Sequence, residues 1–140
     1  MKRFLPLLPA LFILVLACCS GGAGAAYDSG LCRDLSIKIE RRDSLTSKDY
    51  SEMISQDEAI LQYLVERTKE ISELPDSVRS NAWRNLTANP EYLERFGYMF
   101  TLGSALYSAE RNGSLDKSNS KKFEALDRYN EDLIRYSERY

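Results

Sequence analysis

The stretch LTSKDYSEMISQDEAILQYLVERTKEISELP, residues 45–75, decides the fold class. Thr46 and Asp49 have the spacing of a capping box, in which each side chain accepts a hydrogen bond from the other residue's backbone N–H. Apolar side chains then recur at three- and four-residue steps up to Pro75, where a helix cannot continue. The stretch therefore predicts one long amphipathic helix. Its apolar stripe consists of Tyr50, Met53, Ile54, Ile60, Leu61, Leu64, Val65, Thr68 and Ile71.

The segment before this helix, residues 31–43, has two interpretations. Leu31, Leu35 and Ile39 recur every four residues, as on one face of a helix. The run 35–39 also alternates between apolar and polar residues, as in a strand. We predict a short helix here and keep the strand as the alternative.

Three further helices are predicted after Pro75. The first two are preceded by residues that favour helix initiation, and one polar turn separates the second from the third. The middle one ends at Asn112-Gly113, the usual left-handed exit from a helix. Asp76 or Ser77 is expected to cap the first of them, Asn89 caps the second with Pro90 as its first residue, and the third follows the polar turn of residues 114–120.

The helix that begins at Pro90 is predicted to be the central one. Small residues form a strip along it, and such a strip lets another helix approach closely. Phe100 is predicted to lie in the core on the same helix. The strip consists of Gly97, Thr101, Ser104 and Ser108.

Four or five helices with short connections predict an all-α fold, a small and mostly antiparallel bundle. The helical domain is expected to span residues 31–140, a length that supports one domain with one modest core. The sequence has no internal repeat, and its heptad pattern is too short to indicate a coiled coil.

The N-terminal residues MKRFLPLLPALFILVLAC have the organisation of an export signal. Lys2 and Arg3 precede an apolar run, residues 4–17, that is shorter than the roughly 20 residues of a membrane-spanning helix. The run ends in Val15-Leu16-Ala17-Cys18, which resembles the lipobox of bacterial lipoproteins. Residues 45–54 are also similar to a segment that recurs in small bacterial lipoproteins of uncharacterised function.

The lipoprotein resemblance implies a signal peptide at 1–17 and a diacylglycerol on the Cys18 thiol. Residues 18–30, rich in Gly, Ala and Ser, would then form a flexible tether. The next residue, Cys19, is not the aspartate that favours inner-membrane retention, so the resemblance implies an outer-membrane anchor facing the periplasm. The alternative is an ordinary secretory signal cut after Ala25, which would give a soluble secreted protein.

The composition excludes several classes of function. The chain contains no histidine, which excludes Ser-His and Cys-His nucleophile systems and the common zinc sites. No glycine-rich phosphate loop is present, and no cofactor is expected. Loss of Lys2 and Arg3 with the signal would make the net charge of −2 more negative by two, which argues against nucleic-acid binding.

Three further features bear on function. Asp57 lies within the apolar stripe of the long helix and is the most unusual acid in the chain, although an edge position or an arginine partner would explain it structurally. Cys32 is expected to be buried, with a disulfide to Cys19 as the alternative. A candidate docking face for a protein or glycan lies on the last helix, with Arg128 and Arg139 nearby. It comprises Tyr129, Arg135, Tyr136 and Tyr140.

The sequence thus predicts a lipid-anchored, non-catalytic helical module that binds or braces another envelope component. A small-ligand carrier or a carboxylate-based enzyme is the alternative from a different class, and an inhibitor or immunity-like protein is a third. A pocket that holds Asp57 with a perturbed pKa would favour the second hypothesis. A filled core would favour the first.

Overall fold

The computed structural model describes residues 26–138, and every regular element in that range is an α-helix. The predicted all-α bundle is therefore confirmed, and the strand alternative for residues 35–39 is wrong. The helices are α1 (Ser29–Glu40), α2 (Ser47–Ser72), α3 (Asp76–Thr87), α4 (Pro90–Arg111), α5 (Lys117–Glu124) and α6 (Asp127–Ser137).

The long helix α2 is the centre of the bundle, since it packs against each of the other five helices. The prediction that α4 is central is wrong, because α4 packs against α1, α2 and α3 and leaves one side in solvent. The buried core has members from α1, α2, α4 and the turn before α6. They are Cys32, Leu35, Met53, Ile54, Ile60, Leu61, Leu64, Tyr92, Leu102, Leu106 and Leu126.

The outer side of α4 explains why its orientation was mispredicted. Phe100 is 70% exposed rather than in the core, and Ser104 and Ser108 of the small-residue strip are exposed as well. A Cβ added at Gly97 would meet no described residue within 4 Å, so none of the helices α1–α6 approaches the strip there. Apolar residues occur on several faces of α4, and their periodicity therefore does not identify the core-facing side.

Contacts between helices give their relative directions. Tyr63, late in α2, lies under the guanidinium of Arg95, early in α4. Asp57, earlier in α2, lies beside Gly103, later in α4. The helices α2 and α4 are therefore antiparallel, in agreement with the predicted bundle.

The last predicted helix is divided into α5 and α6 at Leu126, whose side chain is buried in the core. Asn119 of α5 donates to the Ser47 carbonyl at the start of α2 (3.0 Å). Farther along both segments, the Gln62 side chain donates to the Tyr129 hydroxyl of α6 (2.8 Å). The α5–α6 segment therefore runs in the same direction as α2.

The predicted capping signals have mixed outcomes. The capping box of Thr46 and Asp49 is present, and Asn89 caps α4 with Pro90 as its first residue. The predicted cap of α3 is wrong: Asp76 is already helical, and no side chain among residues 26–138 caps this helix. Asp76 pairs instead with the guanidinium of Arg79 one turn later (2.8 Å), so a salt bridge and not a side-chain cap marks this helix start.

We expect Thr46→Ala to lower the free energy of unfolding by about 1 kcal/mol, as for the loss of other helix caps. The Thr46 hydroxyl accepts from the Asp49 backbone N–H (3.1 Å), and alanine leaves this donor without its acceptor. Denaturant unfolding measures the effect. Thr46→Ser keeps the oxygen and is the control, so an equal loss in both variants would contradict the role of the cap.

The charge of Asp49 makes this helix start sensitive to acid. The Lys38 ammonium (2.6 Å) and then the Thr46 N–H hold the pKa of Asp49 at about 2, below its usual range. The folded state therefore favours the ionised form, whose stabilisation is present above about pH 4. It is lost as the pH falls towards 2.

Candidate functional site

The residues of the export signal and the lipobox lie outside the described range. Cys18 and Cys19 precede residue 26, so signal cleavage, lipidation and the tether stay predictions. Cys32 lies in α1 and is fully buried with a free thiol, as expected for an apolar core position. Burial raises the pKa of this thiol to about 11, which keeps it protonated and unreactive.

The first described residues are held against the bundle. The Gln56 side chain accepts a hydrogen bond from the Asp28 backbone N–H (2.7 Å). Tyr27 donates to the Glu94 carboxylate (2.6 Å), and the Arg95 guanidinium lies 4.3 Å from the centroid of the Tyr27 ring. Residues 27 and 28 therefore lie beside the starts of α1 and α4.

Asp57 is the most unusual polar group of the described chain. It lies on the core-facing side of α2 and is 3% exposed, and its Oδ1 has no hydrogen-bond partner among residues 26–138. Removal from water raises the pKa of this carboxyl to about 7. Asp57 therefore lies neither at the edge of the apolar stripe nor beside an arginine of the described chain, so neither structural explanation for this acid applies.

Asp57 lines a groove of about 420 Å³ that runs between α2, α4 and the α5–α6 segment. A Cβ added at Gly103 would lie 3.7 Å from Asp57 Oδ2, so α4 faces the carboxylate with a residue that has no side chain. The groove is therefore open where a larger residue on α4 would fill it. Its apolar and aromatic walls are Leu61, Met99, Phe100, Tyr107 and Phe123.

The groove is acidic. Glu110, Glu124 and Asp127 line it together with Asp57, and none of the described residues that line it is a lysine or an arginine. Glu110 accepts a hydrogen bond from the Ser120 hydroxyl (2.7 Å), whereas Glu124 and Asp127 are exposed. Clefts lined by one sign of charge concentrate ions of the opposite sign. The groove is thus complementary to a positively charged ligand.

The predicted docking face on the last helix is only partly free. Tyr129 is half-buried and receives a hydrogen bond from Gln62 of α2 (2.8 Å), so its hydroxyl takes part in packing. Tyr136 is half-buried, and Arg135 is exposed and paired within α6. Tyr140 lies outside the described range. The docking role of this face stays a prediction.

Sequence reasoning identified Asp57 but not the groove around it. Phe100, Gly103 and Tyr107 form its α4 side, and the first of these was expected in the core. A signal was present in α4, where apolar residues occupy more positions than one buried face requires. Such an excess indicates a second apolar surface, and Leu93 and Phe96 extend it along α4.

Comparison with protein-family models, with curated proteins and with solved structures finds no match for this chain. Within residues 26–138, no helix is both long and apolar enough to cross a membrane. In the same range, no group of three His, Cys, Asp or Glu side chains is placed to hold a metal ion.

Proposed function

We propose that this chain is a lipid-anchored binding protein of the bacterial cell envelope. It holds a small ligand in the groove beside Asp57 and does not catalyse a reaction. One observation carries the proposal: a buried carboxylate whose Oδ1 has no partner among the described residues faces an open groove of about 420 Å³.

The size and lining of the groove support a ligand site. Pockets for small molecules measure roughly 300–1,000 Å³ and combine apolar walls with a few polar groups that orient the ligand. Here Met99, Phe100 and Phe123 supply apolar wall, and Asp57 supplies the polar group. A buried polar atom without a hydrogen bond costs roughly 1–3 kcal/mol, and a ligand that supplies the missing donor recovers part of that cost.

Catalysis by a pair of carboxylates has less support. Acid–base catalysis needs two groups held at fixed positions around the reacting atoms. Of the other acids in the groove, Glu124 and Asp127 are exposed, and Glu110 is already bonded to Ser120. The chain also has no histidine that could serve as the second group.

We expect Cys18→Ser to move the protein from the membrane to the soluble fraction of the envelope, because the lipobox thiol to which the diacylglycerol would be attached is lost. Cys19→Ser should stay with the membrane and is the matched control. The intact mass of the wild-type mature protein should begin at Cys18 and include the lipid. A mature chain that begins at Ala26 would show ordinary secretion and contradict the anchor.

Native mass spectrometry of the protein extracted from its own envelope tests the ligand site. The wild-type protein should carry an additional small-molecule mass that Asp57→Asn loses. Asp34→Asn makes the same chemical change at an exposed acid of α1 and should keep that mass. A wild-type protein without bound mass, or equal occupancy in Asp57→Asn, contradicts the site. A bound protein in place of a small molecule would also contradict it.

A further inference from the structure

The unmet hydrogen-bonding capacity of Asp57 defines the chemistry of the group that binds there. A carboxylate accepts hydrogen bonds and carries negative charge, so its best partner is a donor with positive charge. The bundle supplies none, since Oδ1 has no partner among the described residues and no described lysine or arginine lines the groove. A cationic donor on a ligand in the groove would supply the missing group.

We infer that the groove binds a small amphipathic amine, whose protonated primary amino group pairs with Asp57 and whose apolar body packs between Phe100, Tyr107 and Phe123. This inference rests on the proposed function, because it names the ligand class of the same site. The aromatic rings contribute twice, since they bury the apolar body and their faces attract a nearby cation.

Other ligand classes fit the groove less well. An anion would meet the four acids that line the groove, and a neutral alcohol would leave them without a counter-charge. A quaternary ammonium has no N–H and would leave Asp57 Oδ1 unbonded. A metal ion needs several ligating side chains close together, and no such group occurs within residues 26–138.

Binding of the amine should be linked to the proton of Asp57. The carboxyl has a pKa of about 7 without ligand, and the ammonium stabilises its ionised form. Binding below neutral pH therefore displaces one proton into solvent, and the affinity increases as the pH rises through 7. The other titratable groups near Asp57 are Cys32 on α1, Tyr107 and Glu110 on α4, Glu124 on α5 and Asp127 on α6.

Isothermal titration calorimetry with 2-phenylethylamine as the probe tests the inference on the full chain without its signal. Two molecules of similar shape, neutral 2-phenylethanol and anionic phenylacetate, are the ligand controls. The amine should bind, and Asp57→Asn should weaken it at least about tenfold because the charge of the pair is lost. Asp34→Asn should leave the affinity unchanged, and both control ligands should bind at least about tenfold more weakly.

Two readouts separate a direct role of Asp57 from a structural one. Titrations in buffers of different ionisation enthalpy should give release of about one proton at pH 6 and close to none at pH 8. Gly103→Leu keeps every charge but places a side chain beside the Asp57 carboxylate, and it should also abolish binding.

The inference is overturned if the alcohol binds as tightly as the amine, if Asp57→Asn binds the amine like the wild type, or if the amine does not bind. The proposed function fails by a different measurement, namely the absence of any Asp57-dependent bound mass on the protein from the envelope. A protein that carries such a mass but does not bind the amine keeps the ligand site and loses only the assignment of its ligand class.

Discussion

Asp57→Asn should abolish a pH dependence of stability that the wild-type protein shows. As the pH rises from about 4 to 8, the Asp57 carboxyl should lower the free energy of unfolding of the wild type by about 4 kcal/mol. The carboxyl has a pKa of about 7 in the folded chain, against 3.8 in the absence of burial. The unfolded state therefore releases this proton first, and raising the pH favours unfolding until the folded carboxyl also ionises. The separation between the two pKa values corresponds to about 4 kcal/mol.

Urea unfolding of the wild type, Asp57→Asn and Asp34→Asn at both pH values measures this contribution. Asp34 is exposed, so its variant should keep the full wild-type dependence on pH. Asp49 has a lowered pKa and acts with the opposite sign below about pH 4, but it is unchanged in all three proteins and cancels in the comparison. An Asp57→Asn variant with the same pH dependence as the wild type would show that this carboxyl is solvated.

Leu102→Ala should lower the free energy of unfolding by about 2–5 kcal/mol, whereas Phe100→Ala should cost less than about 1 kcal/mol. Both residues lie on α4, two positions apart. Leu102 is fully buried against the core, and its truncation leaves a cavity. Phe100 is 70% exposed, and its truncation removes little buried area although the side chain is larger.

Denaturant unfolding of the two variants tests the orientation of α4 and therefore the position of the groove. A large loss for Phe100→Ala with a small loss for Leu102→Ala would mean that α4 faces the bundle with its other side. In that case Phe100 would not line the groove beside Asp57, and the proposed site would have to be abandoned.

Local chemistry made much of the fold predictable from the sequence. The start of α2 follows from Thr46 and Asp49, its end from Pro75, and its buried side from apolar spacing over seven turns. The start of α4 follows from Asn89-Pro90 in the same way. These signals depend on residues within one helix, and tertiary packing did not change them.

The arrangement of the helices depends on distant residues and was less predictable. The sequence pattern placed Phe100 and the small-residue strip of α4 in the interior, because both features are typical of helix packing. In the structure, Leu102 and Leu106 are buried in the core, and Gly97, Ser104 and Ser108 of the strip are exposed. Several faces of α4 are apolar, so packing against the other helices, and not the sequence of α4 itself, determines which face is buried.

The candidate site shows the same division. Asp57 was recognisable in the sequence, because an acid inside an apolar stripe is unusual whatever the fold. The absence of a hydrogen-bond partner for Asp57 was not recognisable, because the sequence does not show whether an arginine on another helix pairs with it. The opening of the groove depends on Gly103 of α4, which lies beside Asp57 of α2. This proximity follows from the antiparallel packing of the two helices, which the sequence does not show.

A titration of the Asp57 side-chain carboxyl carbon by NMR, without and with 2-phenylethylamine, tests the central claim most directly. We predict a midpoint near pH 7 in the free protein, and a midpoint well below 7 when the amine is bound. A midpoint near pH 4 in the free protein that the amine does not change would contradict the account. It would mean that Asp57 is an ordinary solvated acid and that the groove holds no site for a cation.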